Sequence, residues 1–230
     1  ERVEAVLSGF SDSNSCSLTS SSQHRLIRLA AGLLYGMRCS NGPCMDCVVT
    51  TPIGRVRISG CQIGLHSINQ IDPPGQQKPE KSISVELTQP LGKDENNLNP
   101  TKPIYDCFCW LRTYFEEPEN IGCARMPSLC PAICSPNGSF LEKVWLTLQK
   151  SVPFGSTVTY GELARLTGSP KAAQAVGSAM RRNPFSLLVP CHRVVKSGGA
   201  VGSYSGGQRN NVKVWLLDFE QTNVQEGDLR

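Results

Sequence analysis

The sequence predicts an α+β protein: a small strand-bearing N-terminal unit followed by a helical C-terminal unit that contains a helix-turn-helix. Three observations lead there. Val48 to Ser59 alternates like a hairpin, with Val56 and Ile58 set between Arg55, Arg57 and Ser59 and a turn at Pro52-Ile53-Gly54. Tyr105, Phe108, Leu111 and Phe115 recur at helical spacing. Thr159-Tyr160-Gly161-Glu162 has the spacing of a capping box, in which Thr159 and Glu162 satisfy each other's backbone donors.

Taken in order, residues 1–43 are rich in Ser with little periodicity, which reads as disorder or an extension outside the folded unit. Leu26 to Tyr35 is apolar, but Arg28 interrupts it and no small-residue cleavage site follows, so no secretory signal is expected. Met37 and Met45 are candidate starts. A first unit is expected over 44–134, with a third strand through Ile63 to Ile68 and a flexible loop over 70–102 marked by Pro73-Pro74-Gly75. Ser135-Pro136-Asn137-Gly138 marks a boundary. The second unit is expected over 135–222, with 223–230 as a tail. Phe140, Val144, Trp145 and Leu148 form one helix. The helix opened by Thr159 should end near Gly168, and Ser169-Pro170 should start the next at once. Leu187-Leu188-Val189 has a buried-strand pattern that Pro190 stops, which places Cys191 at a strand end.

No run of eighteen apolar residues is present, so no membrane helix is expected. The net charge is +4, yet Phe140 to Lys213 holds ten Lys or Arg against two acidic residues. Such a basic block suits a polyanion partner. The small residues Ala172, Ala173, Ala175, Gly177, Ser178 and Ala179, flanked by Lys171, Arg181 and Arg182, would let a helix approach a phosphate backbone closely. Eleven cysteines, an odd number, fit a reduced intracellular chain better than a disulfide scaffold. The histidines are only three: His24, His66 and His192.

Cys191-His192-Arg193 is the candidate chemistry. A thiol becomes a nucleophile when a base or a positive charge lowers its pKa or takes its proton. Neighbours on a strand face opposite ways, so a Cys191–His192 contact requires a turn or a bridging water. The glycine-rich stretch Gly198 to Gly207 can approach a flat ligand closely. It lacks the pattern of a dinucleotide site, and no organic cofactor is expected.

Pro190-Cys191-His192-Arg193-Val194-Val195, with Asn183-Pro184 before it and Tyr204-Ser205-Gly206-Gly207 after it, resembles the O6-alkylguanine-DNA alkyltransferase family, over about residues 45–220. The resemblance implies a ribonuclease-H-like α/β domain followed by a winged-helix domain. It also implies irreversible, single-use transfer of an alkyl group from O6-alkylguanine, and less well from O4-alkylthymine, to Cys191. By position, His192 is the base acting through a water, Glu220 orients it, Asn183 braces the turn, and Tyr160 protonates the leaving base. Ser205 and the carbonyls of Cys191 and Val194 would read the guanine edge. Met180 and Tyr204 would line the alkyl pocket. Ala172, Ala173, Gln174, Arg181 and Ser197 would meet the DNA. The implied partner is double-stranded DNA with the base flipped out, the implied place is the nucleus, and the implied state is a monomer, with cooperativity on DNA as the alternative. A sensor that leaves the alkyl group in place would lack the cysteine. A winged-helix regulator leaves Pro190 to Val195 unexplained, and a cysteine hydrolase needs an oxyanion hole beyond the glycines.

Three positions depart from the family pattern. Gln174 stands where an arginine usually fills the gap left by the flipped base, and Ser186 stands where a pocket proline is common. Vertebrate members hold a structural zinc. Cys61 and His66 match its ligands by position, Cys47 (or Cys44) is the expected third, and Cys130 lies where a histidine is usual. Three Cys and one His make a sound tetrahedral zinc set.

Overall fold

The computed structural model describes residues 39–73, 84–88, 101–133 and 139–227. The readings for residues 1–38, for most of the loop 70–102, for the boundary at Ser135 to Gly138 and for the last three residues lie outside these.

Strands β1 (Met45–Thr51), β2 (Gly54–Gly60), β3 (Leu65–Gln70) and β4 (Glu86–Thr88) form one antiparallel sheet in the order β3-β2-β1-β4. The hairpin register pairs Val49 with Val56 and Thr51 with Gly54, which puts the turn at Pro52-Ile53. Val56 and Ile58 face inward while Arg55 and Arg57 face out, as the alternation requires. The third strand begins two residues later than expected, at Leu65. Gly64 explains the offset: a Cβ there would lie 2.4 Å from the backbone of Leu129 and Cys130. Only glycine lets that segment come so close; Leu65 N–H then donates to the Ser128 carbonyl, and Cys130 N–H donates to the Leu65 carbonyl, both at 2.8 Å.

Helix α1 (Lys102–Glu116) lies on the sheet. Pro103 sits in its first turn, where its missing N–H costs nothing. It buries Ile104, Cys107, Phe108, Leu111, Tyr114 and Phe115. Each such side chain contributes roughly 1.5–3 kcal/mol by leaving water. Tyr105, expected on this face, is only half-buried.

After residue 139 come α2 (Phe140–Ser151), β5 (Val158–Thr159), α3 (Tyr160–Leu166), α4 (Ala173–Arg181), β6 (Val194–Val195) and α5 (Asn210–Gly227). Ser139 caps α2 by accepting from the N–H of Glu142. The capping box of α3 is complete: Thr159 accepts from Glu162 N–H, and the Glu162 carboxylate accepts from Thr159 N–H at 2.8 Å. Gly168 takes φ +75° and turns the chain. Two expectations fail here. Ser169-Pro170 forms a turn, with Ala172 N–H donating to Ser169, and α4 begins only at Ala173. Leu187 to Val189 is not a strand. Leu187 adopts φ +72°, and Val189 N–H turns back onto the Phe185 carbonyl at 2.9 Å, so the segment is a buried tight turn.

One continuous apolar core joins all of this, from Cys47 on β1 to Phe219 on α5. Against it the half-buried Trp215 stacks on Phe219, 5.1 Å away, and Phe219 also meets Phe115, Tyr114 and Phe154.

Candidate active site

Cys191 opens a single 3-10 turn, Cys191–Arg193, between the buried turn and β6. A turn, not a strand, thus carries Cys191 and His192, and among the described residues no hydrogen bond joins the thiol to His192 Nδ1. Asn183 braces the approach to it: its Nδ2 donates to the Val189 carbonyl at 2.8 Å, and its Oδ1 accepts from Phe185 N–H at 2.9 Å. Asn183 Nδ2 thereby fixes the residue two before the thiol, and Cys191 N–H donates to Val189 as well.

The thiol is partly buried. Burial raises its pKa, against the opposing pull of the Asn183 side chain and the Lys213 ammonium. It therefore rests as a thiol and needs a base. His192 is fully buried, and its Nε2 lies 2.8 Å from Glu220 Oε1. Burial lowers its pKa even beside Glu220, so it rests neutral. A carboxylate on Nε2 holds the proton there and leaves the lone pair on Nδ1. That Nδ1 is buried and has no hydrogen-bond partner among the described residues.

Glu220, on α5, is a hub. Burial pushes its carboxyl up, but His192 and Arg193 outweigh this and hold it well below the usual carboxylate range. Arg193 grips both oxygens at 2.9 Å, Gly155 N–H donates at 3.1 Å, and Tyr114 from α1 donates its phenol proton at 2.5 Å. Arg193 Nη1 donates to the Val152 carbonyl at 2.8 Å. Arg193 stood in the quoted hexapeptide without a role, and its bidentate geometry gives it one. Tyr114 had no sequence signal beyond its place on an apolar helix face.

Lys213 was also missed. It is completely buried, and its Nζ donates to the Val194 carbonyl at 2.6 Å. Burial lowers its pKa to about 8, while Cys191 pulls the other way. Tyr160 starts α3 half-buried, with α4 close: a Cβ on Gly177 would lie 3.9 Å from its ring. Burial and the charge of a Cys191 thiolate both raise its pKa, so it keeps its proton. Tyr204 is buried, and the Ser186 hydroxyl is within hydrogen-bonding reach of its phenol, a contact that a proline cannot make. Met180 is half-buried. Ser205 is exposed at φ +48°, followed by Gly206 and Gly207 at φ +70° and +91°. Holding serine there costs roughly 1 kcal/mol. The carbonyls of Cys191 and Val194 each already accept one internal donor, Val194 N–H and Lys213 Nζ. A carbonyl has a second lone pair for a ligand.

The metal reading changes in one residue. Cys39, Cys61, His66 and Cys130 bring their ligand atoms within 4.8 Å of one another. Cys39 takes the place assigned to Cys47. The Cys47 side chain lies in the sheet core, its Sγ 3.9 Å from its neighbour's carbonyl. Cys44 stands beside the set, its Sγ 3.5 Å from His66 Nδ1. Residues 39–43 thus lie on the folded unit, with Cys39 bridged to Gly42. The sulfurs are 3.7, 3.7 and 4.0 Å apart. Tetrahedral zinc–sulfur bonds of ~2.3 Å would separate sulfurs by ~3.8 Å. His66 Nε2 is buried with no partner among the described residues, as an atom reserved for a metal would be.

Residues 139–222 match the family described as "6-O-methylguanine DNA methyltransferase, DNA binding domain". The chain is 42% identical over 175 residues to the methylated-DNA–protein-cysteine methyltransferase of Mus musculus, covering 75% of this chain and 79% of that one. The chain belongs to that family. The Homo sapiens methyltransferase is 42% identical over 74% of this chain and 77% of its own length. Among solved structures, Mycobacterium tuberculosis OGT in complex with DNA superposes with a TM-score of 0.53 at 26% identity, over 76% of this chain and 91% of that chain. Within the methyltransferase fold the DNA-facing candidates are accessible. Gln174, Arg181 and Ser197 are exposed, and Ala172 and Ala173 are half-exposed at the start of α4. Val176 and Ala179, on the opposite face of the same helix, are buried in the core.

Proposed function

We propose that this protein repairs DNA by direct reversal, taking the alkyl group from O6-alkylguanine onto Cys191 once per molecule. The observation that carries the reading is the arrangement Cys191, neutral His192 with a free Nδ1, and ionised Glu220 behind it. The duplex presents the base to α4, and the nucleotide is flipped into the site at a cost of a few kcal/mol. His192 Nδ1 takes the thiol proton through one bridging water, and the imidazolium is steadied by Glu220. Sulfur attacks the alkyl carbon, the S–C bond forms and the C–O6 bond breaks. The electron pair goes to the guanine, which takes its proton from Tyr160. The thioether is no leaving group for water, so the protein is consumed. O4-alkylthymine fits the same chemistry less well.

The finer fold description, a ribonuclease-H-like domain over 44–134 and a winged-helix domain over 135–222, is supported by the family likeness and by the two helices α3 and α4 joined through Gly168. The basic block supports DNA as the partner and, with it, a nuclear location; the chain is taken to act as a monomer, with cooperativity on DNA as the alternative. Zinc, held by Cys39, Cys61, His66 and Cys130, would tie β1's approach, β3 and the segment after Leu129 together and take no part in the transfer.

The test is intact mass spectrometry after incubation with a duplex containing O6-methylguanine. One methyl per protein is expected, and none in Cys191→Ser. Repeated turnover, or methylation that survives in Cys191→Ser, would contradict the proposal.

A further inference from the structure

The loop Tyr204 to Gly207 closes on itself. Gly207 and Arg209 N–H groups donate to the Tyr204 carbonyl at 2.9 and 3.3 Å, and Tyr204 N–H donates to Asn210 Oδ1 at 2.8 Å. These bonds fix its shape. The buried Tyr204 side chain anchors the first residue of the loop beside Ser186; the three residues after it stand at successive positive φ, a conformation that requires holding from the far end as well.

One side chain reaches out from this loop to the N-terminal sheet. Arg209 Nη2 donates to the backbone carbonyls of Asp72 at 2.6 Å and Gln70 at 3.4 Å, at the end of β3. That end is itself tied down. Asp72 accepts from Arg55 N–H and Nε at 2.5 and 2.6 Å, Ile71 N–H donates to Arg55 at 3.0 Å, and Gln70 donates to the Ile53 carbonyl at 2.5 Å. The same strand holds the facing wall of the pocket. Ile68 N–H donates to Pro184 at 2.7 Å, and Ser186 N–H donates to Ile68 at 3.2 Å. β3 is therefore a common frame for both walls: one is joined to it by backbone pairing, and the far end of the loop is joined to it through the Arg209 guanidinium.

We propose that Arg209 is a positioning residue that sets the distance of the base-reading loop from the Ser186 wall, and so sets the rate of alkyl transfer without contacting the substrate. The proposal rests on the alkyl-transfer reading above. Misplacement of a reacting group by about 1 Å costs up to ~10²-fold in rate, so a loosened wall has a kinetic signature.

The experiment uses the full chain and its Arg209→Ala and Arg209→Lys variants in single-turnover transfer, with the active fraction titrated first. Two substrates are compared: a duplex containing O6-methylguanine at saturation, and the free base O6-methylguanine. Arg209→Ala should lower the rate constant about 10-fold on both substrates, with affinity for undamaged duplex and the active fraction unchanged. Arg209→Lys keeps the charge but only a point donor, and its rate should fall in between. Four results would overturn the inference: wild-type rates in Arg209→Ala; loss confined to the duplex with weaker binding of undamaged DNA; full recovery in Arg209→Lys, which would mark a phosphate contact; or a reduced active fraction with an unchanged rate, which would mark a purely structural role. If the unsubstituted chain transfers no methyl to Cys191, the function reading fails and takes this inference with it. Transfer by that chain with an unaffected Ala variant overturns this inference alone.

Discussion

At the scale of single residues, Glu220 has the most depending on it. It accepts from His192, Arg193, Gly155 and Tyr114, and the Arg193 guanidinium is itself buried. Glu220→Gln would leave that cation without a counter-charge, at a cost of about 3–5 kcal/mol. A thermal melt should show a fall of roughly 10 °C. The pH dependence follows from the directions of the shifts. The Glu220 carboxyl is depressed in the folded state, so its contribution is whole above its unfolded value of ~4.3 and is lost as pH falls below it. His192 is also depressed, so the unfolded chain binds its proton first, and stability begins to fall below ~6.5. Melting temperature should thus be level near neutrality, sag below ~6.5 and drop more steeply below ~4.3. A melting temperature that rises on acidification would contradict this assignment.

At the scale of elements, α4 divides its work by face: Val176 and Ala179 hold it to the core, and Gln174 looks outward. Glutamine lacks the charge and the planar fork of the arginine usual at this place. Gln174→Arg should raise affinity for duplex DNA several-fold and steepen the dependence of log affinity on log salt by about one. It should also speed single-turnover repair if flipping limits the rate. Fluorescence anisotropy across a salt series reads the first two, and an unchanged slope would sink the idea. The elements were legible where local chemistry decides them. The Val56/Ile58 alternation, the Thr159–Glu162 box and the Cys191-His192 pair are all short-range patterns. The start of α4 was misread because Ser169-Pro170 is as good a turn as a helix start, and here the chain uses three more residues before the first helical position. Leu187 to Val189 looked like a strand because three apolar residues in a row carry no periodicity, and a buried turn has the same composition. Tyr114, Lys213 and Arg209 act across the fold, through partners far away in sequence, and no local pattern marks them.

At the scale of the whole molecule, the Cys/His cluster gathers a residue ahead of β1, the loop before β3, β3 itself and the segment after Leu129. Cys39 was overlooked because it follows a serine-rich stretch without periodicity, while Cys47 sat in a clear strand. The two are easily separated. On the zinc proposal, Cys39→Ser should bind little zinc and melt at a lower temperature than the unsubstituted chain, whereas Cys47→Ser should bind it as the unsubstituted chain does. Metal analysis by mass spectrometry decides it, and equal zinc in both variants would return the fourth ligand to another residue.

The phenol of Tyr114 bonded to Glu220 has a practical consequence. The residues that match the family's DNA-binding domain begin at 139, yet the hydrogen-bonded His192–Glu220–Arg193 group inside them borrows a hydroxyl from residue 114, and the Trp215–Phe219 stack rests against Phe115. A chain severed between 133 and 139 would give two polypeptides, each carrying an uncovered aromatic face that fits the other. Brought together by fused binding partners, such halves would recover a reactive thiol only on reassembly, so that a covalent mark on Cys191 would record that the partners had met.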